Sequence, residues 1–112
     1  MIDAVRDQAT FRNLRTQGIR GRSGPIRAIF LPHDRPDVLV AFAIGRKFGS
    51  AVERNRARRR VQAALRSPGL SLAPGAYLFS MQRETLTMPF ESLLADVQNC
   101  VDRCASRLAV SH

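Results

Sequence analysis

The run Gly45-Arg46-Lys47-Phe48-Gly49-Ser50-Ala51-Val52-Glu53-Arg54-Asn55-Arg56-Ala57-Arg58-Arg59-Arg60-Val61-Gln62-Ala63-Ala64-Leu65-Arg66 carries eight basic residues and one acid. Ser50 followed by Glu53 has the spacing of a capping box, so a helix starts at Ala51 and runs to about Arg66. Ser67-Pro68-Gly69 ends it. Wound at about 100° per residue, Ala57, Val61, Ala64 and Leu65 form one inward stripe. Asn55, Arg59, Gln62 and Arg66 line the outward face, with Arg56 and Arg60 further round the same polar side. Arg54 and Arg58 flank the stripe, where their stems can pack while their heads reach outward. Such an array can hold several phosphates at once. Asn55 adds a neutral donor and acceptor for a ribose, a base edge or a metal-bound water. The alternative is a solvated face without a ligand, but arginines this dense repel one another unless counter-charge is supplied.

The totals point the same way. At 112 residues, 45% of them hydrophobic, the chain is expected to be one domain with a modest, mostly aliphatic core. A net charge of +9 on so small a body opposes compactness and suits a polyanionic partner. The basic residues are 17 arginines and one lysine. Planar, bidentate guanidinium groups suit RNA or DNA, although a GC-rich genome also raises arginine over lysine. No stretch approaches the roughly 20 apolar residues of a membrane span, and the first ten residues lack the apolar core of a signal peptide. The expected location is the cytoplasm, with no membrane partner. Cys100 and Cys104 stand one helical turn apart and read as small hydrophobes on an inner face. A metal site is not expected.

Along the chain, Asp7 to Gln17 reads as a helix with Phe11 and Leu14 on one face, stopped by Gly18. Gly18 to Pro25 reads as a flexible basic loop. Ile26 to Leu31 alternates as a strand, Pro32 to Asp37 is a turn, and Val38 to Ile44 is an inner strand buried on both sides. Ala76 to Met81 makes a third strand. A last helix begins near Pro89, with Phe90, Leu93, Leu94, Val97, Val101, Cys104 and Leu108 on one face. The expected fold class is therefore α+β, a two-layer α–β sandwich in the order α-β-β-α-β-α. It forms a single domain over residues 1–112, with flexible ends at about 1–6 and 109–112. The first helix lies on the otherwise open face of the sheet.

The run Arg46-Lys47-Phe48-Gly49-Ser50-Ala51-Val52-Glu53-Arg54-Asn55-Arg56-Ala57-Arg58-Arg59 resembles the signature of the bacterial ribonuclease P protein component. That signature is a basic pair, an apolar residue, Gly-x-Ala-Val-x, Arg-Asn-Arg and two further basic residues. Phe11, Leu14 and Gly18 resemble the family's first helix. Tyr77-Leu78-Phe79 resembles its strand after the basic helix, and Leu86-Thr87 with Phe90-Glu91 the start of its last helix. The resemblance implies a left-handed βαβ crossover, as in the ribonuclease P protein / ribosomal protein S5 domain 2-like fold. It implies a protein partner for a catalytic RNA that removes the 5′ leader of precursor tRNA.

Carried over by the resemblance, Arg46, Lys47, Arg54, Asn55, Arg56, Arg58, Arg59 and Arg60 face the ribonuclease P catalytic RNA. Phe11, Arg12, Arg15, Arg27 and Ile29 line a cleft for the leader. Gly45, Arg15, Ile29, Gln62 and Gln82 depart from the common pattern. With fewer aromatic platforms, the leader is expected to be held more by phosphate contacts than by stacking. The nine acids are scattered, and no nucleophile–base arrangement is visible. The expected enzyme is thus a ribonucleoprotein endoribonuclease with no catalytic residue in this chain, Mg²⁺ held mainly through RNA, and one protein per RNA. The alternative is a structural RNA-binding protein of ribosomal type. Its charge and size would be the same.

Overall fold

A computed structural model describes residues 2–110. The elements in order are β1 (Ile2–Ala4), α1 (Gln8–Gln17), β2 (Ile19–Ser23), β3 (Ile26–Pro32), β4 (Val38–Phe42), α2 (Ala51–Leu65), β5 (Gly75–Met81) and α3 (Phe90–Val110). Short 3-10 turns cover Arg46–Phe48 and Arg83–Leu86. The strands form one sheet in the order β1-β4-β5-β3-β2. β4 and β5 are parallel neighbours, so the basic helix α2 lies within the crossover that joins them. The other contacts of β3 are antiparallel, to β2 and to β5.

Alternation along the strands sends side chains to two separate cores. Ile26, Ala28, Phe30, Val38, Val40, Tyr77 and Phe79 meet α2 through Val61, Ala64 and Leu65. They meet α3 through Leu93, Val97, Cys100, Val101 and Cys104. Phe30 stacks on Tyr77 at 4.7 Å between ring centres, and the Tyr77 hydroxyl donates to the Ala73 carbonyl at 2.8 Å. The opposite face is covered only by α1, where Leu14 and Phe11 pack with Val5, Ala41, Ala76 and Leu78. Asp7 caps α1 by accepting from the Thr10 amide at 3.0 Å, and the Gly18 amide closes it on the Leu14 carbonyl.

Two segments differ from the reading of the sequence. Residues 19–23, expected as a flexible loop, are a strand paired in register with β3. Their alternation is real: Arg20 and Arg22 are exposed, while Gly21 and Ser23 are buried. The inward residues are small because α3 passes directly over them, and small residues carry no hydrophobic signal. Ile2–Ala4, expected as part of a flexible end, pairs in parallel with Val38–Val40. The expected flexible C-terminal end falls partly on residues 111–112, which lie outside the described residues.

The contact between α3 and β2 is unusually close. Cys100 Sγ donates to the Gly21 carbonyl at 3.2 Å, and Cys104 Sγ lies 3.6 Å from the Ile19 carbonyl. Burial pushes the thiols up, Cys100 to about 12 and Cys104 to about 11. Both are protonated packing groups, as the spacing implied. A Cβ on Gly21 would stand 2.5 Å from the Cys100 carbonyl oxygen and 2.8 Å from Cys104 Sγ. Gly21→Ala is therefore expected to destabilise the protein by about 1–3 kcal/mol through overpacking, read as a lower urea midpoint.

Candidate nucleic-acid interface

The start of α2 is tied down from three sides. The Glu53 amide donates to Ser50 Oγ at 3.1 Å, and the Ser50 amide donates to Glu53 Oε1 at 3.0 Å, completing the capping box. Glu53 Oε2 accepts from Arg83 Nη2 at 2.8 Å. The other arm of Arg83 donates to the Phe48 carbonyl at 2.6 Å, and its guanidinium lies 6.0 Å from the Phe48 ring centre. The turn that carries the exposed Arg46 and Lys47 is thereby fixed to the helix it precedes. Arg83 and the Ser50 amide hold the Glu53 carboxyl well below its ordinary value, at about 2.

The helix presents its residues largely as winding implies. Ala57, Val61, Ala64 and Leu65 are buried, while Asn55, Arg56, Arg59 and Arg66 are exposed. Arg54 and Arg58 are half-buried beside the stripe. Arg54 Nε is buried without a hydrogen-bond partner, and Arg58 Nη1 donates to Asn55 Oδ1 at 2.6 Å. Arg58 thus occupies the carbonyl of Asn55, leaving the amide N–H groups to face outward.

Arg60 is placed differently. Its two Nη atoms donate to the Thr85 and Met88 carbonyls at 2.6 and 2.7 Å. These are carbonyls of the segment leading into α3, and they draw the Arg60 head toward that segment. Winding alone puts Arg60 on the polar side, but a polar side can also face a neighbouring segment.

Val52 belongs to the signature run but was given no role of its own from the sequence. It is 76% exposed and lies one turn before Asn55 and Arg56, in line with Arg59 and Ala63. It stands in the first turn of the helix, outside both cores. The same winding identifies it.

On the other face of the sheet, Phe11 and Ile29 are half-buried and pack into the α1-side core. Arg12, Arg15 and Arg27 are exposed. Of the five residues assigned to a cleft, Phe11 and Ile29 join one apolar cluster, and Arg27 shares a groove with Ile29. The same face also carries Arg20 and Arg22, missed because β2 was read as a loop. Among the described residues no three carboxylate, thiol or imidazole groups come together as metal ligands. No described helix is long and apolar enough to cross a membrane.

A family model described as Ribonuclease P matches residues 3–105. The chain belongs to the ribonuclease P protein family. A ribonuclease P protein component from Chloroflexus aggregans is 39% identical over 95 residues, covering 83% of this chain and 70% of the relative. One from Symbiobacterium thermophilum is 31% identical over 102 residues, covering 88% of each. Among solved structures, the ribonuclease P protein from Thermotoga maritima superposes with a TM-score of 0.78 at 17% identity. That match covers 89% of this chain and 96% of the other, a likeness of fold. Family membership sets aside the ribosomal-type alternative and agrees with the expected sandwich and crossover.

The ties around α2 separate the expected behaviour of three variants. Arg60→Ala, which breaks two charge-assisted hydrogen bonds, is expected to cost about 1.5–3 kcal/mol in urea unfolding. Arg59→Ala should stay within about 0.5 kcal/mol of the parent while weakening RNA binding. Because the folded Glu53 carboxyl lies below its ordinary 4.5, its contribution is complete above that pH. It is lost as pH falls toward about 2. Glu53→Gln should flatten that part of a stability–pH profile.

Proposed function

We propose that this chain grips RNA on two surfaces with separate tasks. As the protein subunit of ribonuclease P, it serves a ribonucleoprotein endoribonuclease that removes the 5′ leader of precursor tRNA. The outward stripe of α2 and the preceding turn hold the catalytic RNA through Arg46, Lys47, Arg54, Asn55, Arg56, Arg58 and Arg59. The cleft between α1 and the sheet holds the leader through Phe11 and Ile29 beneath, and Arg12, Arg15 and Arg27 around the rim. The reading rests on one observation: an acid-free row of exposed guanidinium groups on a helix anchored by Glu53–Arg83 and by Arg60. A helix held in this way needs no backbone ordering on meeting phosphates, so only the side chains lose freedom.

The phosphodiester chemistry is assigned to the RNA, and Mg²⁺ to sites formed mainly by RNA. This chain neutralises charge and positions the substrate. One protein per RNA, in the cytoplasm, completes the reading. If about six to ten phosphates are neutralised, RNA affinity should fall about 10³- to 10⁵-fold between 50 and 200 mM salt.

Reconstitution with a bacterial ribonuclease P RNA tests both surfaces. Replacing Arg54, Asn55 and Arg59 together by alanine is expected to abolish assembly while the protein remains folded by circular dichroism. Phe11→Ala is expected to weaken binding of leader-bearing precursor and to spare mature tRNA. Assembly unaffected by the triple replacement would overturn the α2 assignment. Equal losses for the two substrates would make Phe11 a core residue only.

A further inference from the structure

We propose that the free edge of the sheet at β2 is a second phosphate track, which takes the leader nucleotides upstream of those in the α1 cleft. The proposal rests on the leader reading above and extends it to residues outside that cleft. β2 is the last strand of the sheet. In its register with β3, Ser23 pairs with Ile26 across a two-residue turn, and Gly21 and Ile19 pair with Ala28 and Phe30. Those pairs exchange the ladder hydrogen bonds, so Arg20 and Arg22 turn their backbone groups outward.

Two arginines of α3 cover the outward acceptors. Arg103 donates to the Arg22 carbonyl and Arg107 to the Arg20 carbonyl. An edge treated in this way presents amide donors and cations while its carbonyls are capped. It is poorly suited to pairing with another strand, which needs acceptors as well as donors. It is well suited to an anionic backbone.

The side chains extend the same surface into the cleft. Arg20 stands opposite Ile29, Arg22 opposite Arg27, and Arg27 opposite Ser80. All of these lie on the face that α1 covers in part. A groove of about 520 Å³ runs among Arg20, Arg22, Arg27, Ile29, Ser80 and Arg107, so it shares Arg27 and Ile29 with the cleft.

The nearby acids are otherwise engaged. Asp96 accepts from the Ser23 hydroxyl at 2.8 Å, and Asp102 accepts from the Gln98 amide at 2.9 Å. Among the described residues, neither forms an ion pair with Arg20, Arg22 or Arg27. The groove has no aromatic side chain on which a base could stack. It therefore reads the phosphate backbone, and its contribution depends on leader length and not on leader sequence.

The test uses holoenzyme reconstituted with a bacterial ribonuclease P RNA and two precursors. One carries a leader just long enough to fill the α1 cleft. The other carries the same leader extended at its 5′ end by an unstructured uridine tract. The wild type is expected to bind the extended precursor more tightly, with a steeper salt dependence. The Arg20→Ala, Arg22→Ala double variant should lose that preference and keep its affinity for the short precursor and for the RNA. Two lost contacts on a single strand correspond to about 1.4 units of log–log salt slope. Arg20→Lys with Arg22→Lys, which retains the charge, should restore most of the preference.

A wild type without length preference overturns the proposal, as does an alanine variant that retains the full preference. Equal losses on both precursors also overturn it, and loss of RNA assembly in the variant would assign the edge to the catalytic RNA instead. Failure of the wild type itself to assemble with the RNA would overturn the functional reading as well.

Discussion

A narrow apolar stripe has to hold down a helix whose remaining surface is cationic. Ala57, Val61, Ala64 and Leu65 are the residues of α2 that reach the core. Around them, Arg54 with Arg58, Arg56 with Arg59, and Arg56 with Arg60 are like-charged neighbours on the helix surface. Each such pair costs about 0.2–0.5 kcal/mol. Burying Val61 and Leu65 contributes about 1.5–3 kcal/mol apiece, so burial outweighs the repulsion. The margin is modest, and the protein reinforces it with arginines. Arg60 and Arg83 form reciprocal ties between α2 and the segment before α3, each reaching a backbone carbonyl of the other region or its flank.

Arginine thus has two roles in this chain, and its chemistry explains both. A guanidinium has five donors and no acceptor, so it can satisfy carbonyls at the ends of short helices and along a sheet edge. Arg60, Arg83, Arg103 and Arg107 are used in that way. Arg56 and Arg59 on α2, Arg12 and Arg15 on α1, and Arg27 on β3 are exposed. The division allows a +9 chain to fold around two modest cores while leaving cationic surface on opposite sides of the sheet.

Much of this was legible in the sequence because it is local. The capping box, the inward stripe of α2, the alternation of β3 and the long amphipathic face of α3 each depend on spacing within one element. The fourteen-residue run from Arg46 to Arg59 added the family resemblance. The elements that were missed, β1 and β2, share a different property. β1 is three residues long and owes its form to pairing with β4. β2 places Gly21 and Ser23 inward beneath α3, so its buried residues are not the bulky apolar ones that announce a strand.

By itself the sequence determined the basic helix, its start, its buried side and the polyanionic partner its charge requires. These follow from the 3.6-residue period and from side-chain chemistry. Only the tertiary structure decided that Arg60 bonds two carbonyls from residues 85 and 88, and that Arg83 reaches back to Glu53. It alone decided that Arg20 and Arg22 stand opposite Ile29 and Arg27 on an edge whose carbonyls are already capped. Each of those contacts joins residues distant in the chain, and periodicity within one element carries no information about which distant segment will supply its hydrogen-bond partners.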